Sequence, residues 1–175
     1  MNFYACARAS LAALASVSAL LFAASDGVRA HGAAAGTVSV AHPWTRATPP
    51  GATVGAAYFE IKADAKGSDT LISARSPAAG RAEIHISEKD GDVMRMRQIE
   101  RLEIKAGQTL VFGPAGHHVM LVDLVKPLQE GDLIEIELNF AKAGKITLEA
   151  TVEPIGARGP HGMDHQPGHD AHKHH

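Results

Sequence analysis

Hydrophobic and polar residues alternate in short runs over most of the chain, and Gly, Pro or Asp separates one run from the next. Alternation with a period of two indicates β-strands with one buried face. No segment of 10–15 residues with helical periodicity lies between the runs. The clearest run is Leu133–Phe140, which alternates throughout. The pattern predicts nine strands: Val38–Ala41, Val54–Ile61, Thr70–Arg75, Arg81–Ser87, Val93–Glu100, Thr109–Phe112, His118–Leu124, Leu133–Phe140 and Lys145–Val152.

Short strands at regular spacing are typical of an all-β sandwich or a Greek-key barrel. The 175 residues suffice for one domain with a sizeable buried core. Beyond Pro154 the hydrophobic pattern stops, and the remaining residues are too polar to bury a core. We therefore predict a flexible arm over residues 31–36, a β-sandwich domain over residues 37–155 and a disordered tail over residues 156–175.

The first 30 residues have the features of a Sec-type signal peptide. Arg8 precedes the uncharged apolar run Ala9–Ala24, which is too short for a comfortable membrane span, and Val28–Ala30 resembles a cleavage site. This predicts export to the periplasm, with no membrane insertion after cleavage. The only cysteine, Cys6, precedes the run, so we expect no lipid anchor. A mature chain without thiols excludes disulfides, zinc–thiolate sites, Cys nucleophiles and blue-copper centres.

Charge indicates no macromolecular partner, whereas the histidines are unusually numerous. Cleavage after Ala30 would leave 15 basic and 18 acidic residues, and this balance argues against nucleic acid and a polybasic membrane patch. The chain has eleven His, and six of them fall in its last fifteen residues.

A predicted hairpin brings His and Met together. Asp90-Gly91 is a strong signal for a two-residue type I′ turn. The register that this turn sets would place His85 directly opposite Met96 and Ser87 opposite Met94. Paired side chains have Cβ atoms about 5 Å apart, so one ion could bridge them.

A second His–Met pair follows on a later strand. His118 and Met120 are two residues apart and share a face, and with His85 and Met96 they would form a His₂Met₂ site. Imidazole and thioether ligands together favour copper, and two thioethers favour Cu(I). A single Met or His in a strand is more often structural. The four residues together favour a metal site. Ile84 and Ile86 occupy the face opposite His85, so the face that carries His85 is not an ordinary apolar stripe.

The spacing of these residues resembles that of the PCuAC family of periplasmic copper chaperones. The shared signature is His85-x10-Met96-x21-His118-x-Met120, and similar text surrounds it in Asp90–Met96, Leu102–Gly107, His118–Leu121 and His42–Arg46. The resemblance implies a cupredoxin-like sandwich that carries Cu(I) on these four ligands. It also implies delivery to the CuA subunit of cytochrome c oxidase, alongside a Sco-type thiol protein. Many members have Met where this chain has Ser87, and Met94 is a candidate to replace that thioether.

The C-terminal residues form a second, less selective metal signal. Imidazoles with carboxylate oxygens suit Cu(II), Ni(II) or Zn(II), so we expect the tail to capture Cu(II). The candidate ligands are His161, Met163, His165, His169, His172, His174 and His175.

Several alternatives stay open. A general periplasmic metal buffer would use the tail as its working part, and a copper enzyme would use His31 as an N-terminal ligand. A plain adhesion module would show no metal dependence. No nucleophile–base pair or phosphate-binding loop is present in the sequence, so we expect no enzyme. His117 is predicted to face away from the site, and Trp44 is predicted to be a packing anchor or, alternatively, a lid over the metal.

Overall fold

The computed structural model describes residues 32–160, which form eleven β-strands and no α-helix. The strands are β1 (Ala33–Ala35), β2 (Val38–Arg46), β3 (Val54–Ala63), β4 (Asp69–Arg75), β5 (Ala79–Asp90), β6 (Val93–Gln98), β7 (Leu102–Ile104), β8 (Thr109–Phe112), β9 (His117–Leu124), β10 (Leu133–Phe140) and β11 (Gly144–Glu153). Among these residues there is accordingly no helix with the length and hydrophobicity needed to cross a membrane.

The predicted all-β sandwich is confirmed, and each of the nine predicted strands overlaps an observed one. Two short strands were not predicted. Strand β1 lies within the segment predicted as a flexible arm, and it pairs with β2 through a turn at Gly36, which has a φ of 55°. Three alanines show no alternation, so the sequence pattern could not reveal this strand. Strand β7 has only three residues, too few to establish a period.

The strands form one continuous sheet that closes on itself. Their order is β6-β5-β9-β8-β3-β2-β11-β10-β4-β7, and β9 also pairs directly with β3. The ring closes where β4 pairs with β5 through Ala74 and Ala82. Strands β5 and β6 form a hairpin, and β5 then pairs with β9 on its other side. The two strands that carry the predicted His ligands are therefore neighbours.

The hydrophobic core fills the inside of this closed sheet. The largest fully buried side chains include Phe112, Ile61, Leu71, Ile104, Leu121, Leu128, Ile136 and Leu138. In β9, Val119 and Leu121 are fully buried in the core. Because side chains alternate along a strand, His118 and Met120 point to the outer face of the sheet. The candidate ligands thus lie outside the core, and their side chains do not take part in its packing.

A β-bulge in β2 changes which side chains share that outer face. The register between β2 and β3 shifts between Ala41 and Trp44, where His42 has a φ of 53°. The extra residue reverses the alternation, since two residues of the bulged strand oppose one of its partner. Trp44 therefore pairs with Tyr58 on the outer face, while Thr45 is fully buried. The bulge adds an aromatic pair to the face that carries the candidate ligands.

Candidate metal site

The pairing of β5 with β9 places two histidines side by side. His85 lies directly opposite His118 in the register, and their ring centroids are 5.9 Å apart at an interplanar angle of 39°. Both side chains are well shielded, because His118 is 4% exposed and the His85 side chain is 13% exposed. Two imidazoles at this separation could bind one ion after small side-chain rotations.

Two thioethers lie beside the histidines. Met120 follows His118 on the same face of β9, and Met96 approaches from β6. A cavity of about 170 Å³ brings Met96, His118 and Met120 together. Its remaining lining residues are Val54, Gly55, Ala56, Tyr58 and Pro114. The surroundings are therefore mostly apolar and suit soft ligands.

The predicted hairpin register is wrong by two residues. Asp90 pairs with Val93, so His85 lies opposite Gln98 and Met96 lies opposite Ser87. The reason is the turn, because its two central residues are Gly91 and Asp92 instead of Asp90 and Gly91. Gly91 has a φ of 63°, and glycine at the first central position is typical of a type II′ turn.

A register shift of two residues keeps every side chain on its predicted face. Met96 therefore still shares the face of His85, at a diagonal position instead of a directly opposite one. The sequence also places Arg95 and Arg97 on the other face, where Arg95 pairs with Asp90 at 2.7 Å and Arg97 with Glu88 at 3.3 Å. All of β6 is exposed, as expected for a hairpin that projects beyond the core.

Hydrogen bonds fix the nitrogen that each histidine presents. The Nδ1 of His118 is 3.0 Å from the carbonyl oxygen of Gly116, which accepts its proton. The same carbonyl accepts the backbone N–H of Ser87 at 3.1 Å and ties β5 to the loop before β9. A neutral imidazole that donates from Nδ1 has its lone pair on Nε2. His118 is therefore prepared to bind a metal through Nε2.

Burial lowers the pKa of His118 below its usual value. The hydrogen bond to the Gly116 carbonyl partly opposes this shift, and the neighbouring His85 adds to it. A depressed pKa keeps the imidazole neutral near physiological pH, the form that binds metals. Burial also lowers the pKa of His117. His117 packs on Phe112, with ring centroids 5.6 Å apart, and faces away from His118 as predicted.

His85 is held from the other side by a carboxylate. Its Nε2 is 3.0 Å from Oε2 of Glu83, which lies two residues earlier on the same face of β5. The His85 hydrogen bond, together with Arg81, lowers the pKa of Glu83 against a smaller effect of burial. Sequence reasoning missed Glu83, although its spacing of two from a candidate ligand in a strand was a usable signal.

The described residues contain no group of three or more His, Cys, Asp and Glu side chains arranged to hold a metal ion. A metal bound between His85 and His118 therefore depends on the thioethers for further ligands. Met94 pairs with Lys89, two positions nearer the turn than Met96, and is 57% exposed. Trp44 packs against Tyr58, with ring centroids 4.5 Å apart, and Tyr58 lines the cavity whereas Trp44 does not.

The tail ligands and the alternative N-terminal ligand His31 lie outside the described residues. The same holds for the signal peptide. The predicted ligands outside residues 32–160 are His161, Met163, His165, His169, His172, His174 and His175.

Solved structures define the class of domain to which this fold and site correspond. The copper-bound PCuAC domain of PmoF2 is 30% identical, with a TM-score of 0.62, and the match covers 71% of this chain and 98% of that one. The apo form of the same domain gives 30% identity and a TM-score of 0.63, with 74% and 99% covered. The Cu(I) form of DR1885 from Deinococcus radiodurans is 26% identical, with a TM-score of 0.55, covering 71% of this chain and 81% of that one. The resemblance to PCuAC domains is confirmed.

The chain belongs to the LpqE-like family, whose model matches residues 38–152. That range runs from the start of β2 almost to the end of β11 and includes all four sandwich ligand candidates. A relative named as a lipoprotein, Lxx21020 of Leifsonia xyli subsp. xyli, is 32% identical over 105 residues. The match covers 59% of this chain and 62% of the relative, so the chain spans less than two thirds of that protein.

Proposed function

We propose that this protein is a copper chaperone that carries Cu(I) on His85, Met96, His118 and Met120. One observation carries the proposal: three of these side chains line a single cavity, and the fourth, His85, is paired directly with His118. Two imidazoles and two thioethers match the preference of Cu(I) for soft and borderline ligands. Copper in the solved PCuAC domain of PmoF2 and Cu(I) in DR1885 support the same choice of metal.

The site has the chemistry of a carrier. Met96 is 53% exposed on the projecting hairpin, whereas His118 is buried. An acceptor could therefore replace the exposed thioether first and the shielded imidazole later. Stepwise ligand exchange of this kind moves Cu(I) without releasing it into solution. The role needs no catalytic step, so we propose a binding and delivery protein and no enzyme.

The site assignment is tested by anaerobic Cu(I) titration against a competing chelator. His118→Ala and Met120→Ala should each lower Cu(I) affinity by more than about 100-fold, because losing an outer partner of a metal ligand already costs 10–100-fold. His117→Gln is the matched control, since it changes the adjacent imidazole on the other face. Wild-type affinity in both site variants would refute the assignment.

We propose that the acceptor is the CuA subunit of cytochrome c oxidase, with a Sco-type thiol protein acting in the same process. The resemblance to PCuAC domains supports this choice of partners. Mixing the Cu(I)-loaded protein with an apo CuA domain and following the CuA absorbance tests it. Failure to metallate the domain under any thiol condition would favour a general metal buffer.

We also propose that the C-terminal tail captures Cu(II) close to the sandwich site. The supporting contact is a hydrogen bond of 2.7 Å from Nε of Arg46 to the carbonyl oxygen of Ala157. Arg46 and Met120 share the outer face, with only β3 between their strands, so roughly 10 Å separates their backbones by strand spacing. Six residues of any chain span at most about 20 Å when fully extended, which exceeds this separation.

Deletion of residues 159–175 tests the role of the tail. The truncated protein should lose Cu(II) equivalents and keep its Cu(I) affinity, because the sandwich ligands remain. Unchanged Cu(II) stoichiometry would contradict capture by the tail.

Location and the alternative functions are testable in the same preparation. We propose export to the periplasm, which the apolar run near the N-terminus supports. Sequencing the mature N-terminus shows whether His31 is the first residue. A copper-dependent oxidation assay then separates the chaperone from a copper enzyme that uses this histidine.

A further inference from the structure

One ring nitrogen of His85 has no partner. Among the buried side-chain nitrogen and oxygen atoms of residues 32–160, only Nδ1 of His85 lacks a hydrogen bond. A buried polar atom without a partner is unfavourable, and a bound ion is one of the explanations for such an atom in native proteins. The other ring nitrogen, Nε2, is engaged with Glu83 at 3.0 Å. The two nitrogens of this ring therefore have different roles.

We propose that Glu83 is a positioning residue for the copper site. By accepting the proton of Nε2, its carboxylate holds His85 in the tautomer whose lone pair is on Nδ1. Copper then binds His85 through Nδ1, whereas it binds His118 through Nε2. This inference rests on the proposed function, since it takes His85 to be a ligand.

The surroundings of Glu83 explain why it can hold the ring. Glu83 lies directly opposite Met120 in the pairing of β5 with β9, so it is a cross-strand neighbour of another candidate ligand. Arg81 contacts its Oε1 at 3.3 Å, and Arg81 in turn contacts Asp123 at 3.2 Å. The carboxylate thus has one oxygen for Arg81 and the other for His85.

The two histidines are held by different groups. His118 donates to a backbone carbonyl, which no side-chain substitution removes, whereas His85 donates to a side chain. A carboxylate behind a metal-bound imidazole fixes the orientation of the ring and raises the basicity of the ligand, and such partners contribute 10–100-fold to metal affinity. Glu83 is therefore the group through which a substitution could alter the site without removing a ligand.

The experiment is long-range ¹H–¹⁵N NMR of the imidazoles, at mildly alkaline pH, in the apo protein and in the anaerobic Cu(I) protein. Cu(I) is diamagnetic, so both forms give resolvable spectra. In the apo wild type, we expect His85 to be protonated on Nε2 and His118 on Nδ1. Addition of Cu(I) should shift Nδ1 of His85 and Nε2 of His118.

Two substitutions at one position separate hydrogen bonding from other effects. Glu83→Gln keeps an oxygen that accepts the Nε2 proton, so it should retain the tautomer and lose less than about tenfold in Cu(I) affinity. Glu83→Leu removes the acceptor, so it should mix the His85 tautomers and lose 10–100-fold in affinity. Glu88→Leu is the matched control, because it removes a carboxylate from the other face of the same strand.

A wild-type His85 protonated on Nδ1 would overturn the proposal, even if the Leu variant fails to fold. Equal losses in the Gln and Leu variants would also overturn it, because they would make Glu83 a ligand instead of a positioning residue. Wild-type affinity in His118→Ala would count against the proposed function itself. The two failures are therefore distinguishable.

Discussion

A buried carboxylate that does not line the metal-site cavity should contribute much of the stability of the fold. Asp69 is 1% exposed at the start of β4, and it faces the turn that joins β10 to β11. Its Oδ1 accepts backbone N–H groups from Thr70 at 2.7 Å and Lys142 at 2.9 Å, and its Oδ2 accepts one from Ala143 at 2.8 Å. One side chain thus connects two distant parts of the chain.

The hydrogen bonds set the expected magnitude. A hydrogen bond to a charged group contributes about 1.5–3 kcal/mol, and water can partly replace the lost acceptor near the surface turn. Asp69→Ala should therefore lower the free energy of unfolding by about 3–5 kcal/mol. Asp69→Asn keeps one acceptor oxygen but points an N–H₂ group at a backbone donor, so about 1–3 kcal/mol should be lost.

The same contacts predict a pH dependence. Burial acts to raise the pKa of Asp69, but the amide donors of Ala143, Thr70 and Lys142, with the Lys142 charge, lower it overall from its usual 3.8. A carboxyl with a lowered pKa stabilises the folded state above its unfolded pKa. That contribution disappears as the pH falls from near 4 through the lower folded pKa. Asp69→Asn should remove this part of the acid sensitivity.

Urea unfolding of the apo protein at neutral and acidic pH measures both effects. Asp64→Asn is the matched control, because Asp64 accepts one exposed amide, that of Lys66, at 2.7 Å. Neither Asp69 variant should change Cu(I) affinity, since Asp69 does not line the cavity. Wild-type stability in Asp69→Ala, or an unchanged acid limb in Asp69→Asn, would refute this account of the carboxylate.

Three further predictions concern Ser87 beside Met96, the hairpin turn at Gly91 and the contact of Arg46 with Ala157. Ser87→Met places a thioether opposite Met96 and should raise Cu(I) affinity several-fold, whereas the control Lys89→Met, two pairs nearer the turn, should not. Anaerobic competition with a chelator measures both affinities. Gly91→Ala should lower the free energy of unfolding by about 1–2 kcal/mol, because a φ of 63° is unfavourable for a residue with a Cβ. Steric clash should add nothing, since no atom lies within 4 Å of the added Cβ, and Gly91→Asn should cost less. Arg46→Gln should slow copper movement from tail to sandwich in stopped-flow measurements. In a protein truncated after residue 158, the same substitution should leave the rate of copper binding unchanged.

Local pattern alone was enough to predict which face each candidate ligand occupies. His118 and Met120 share a face because they are two residues apart in a strand, and the same reasoning applies to His85 and Met96 within their hairpin. That result survived the wrong register, because a shift of two residues leaves each side chain on its original face. The signature spacing also predicted the PCuAC-type fold, which the solved structures confirm.

Tertiary structure determined which side chains are neighbours across strands. The pairing of β5 with β9 sets His85 against His118, and no local signal in either strand encodes that partner. The turn moved by one residue because glycine tolerates a positive φ at the first central position, and this turned a direct pairing of His85 with Met96 into a diagonal one. The β2 bulge likewise depends on its partner strand.

The sequence by itself therefore determined nine of the eleven strands, the four sandwich ligand candidates and the faces that these candidates occupy, because alternation and residue chemistry are local properties. Only the fold revealed the cavity lined by Tyr58 and the contact of Arg46 with Ala157, and it showed that Glu83, whose spacing from His85 was a local signal, contacts that ring. The cavity and the Arg46–Ala157 contact join distant parts of the chain, so they depend on strand pairing, register and the bulge, and those depend on the whole sheet.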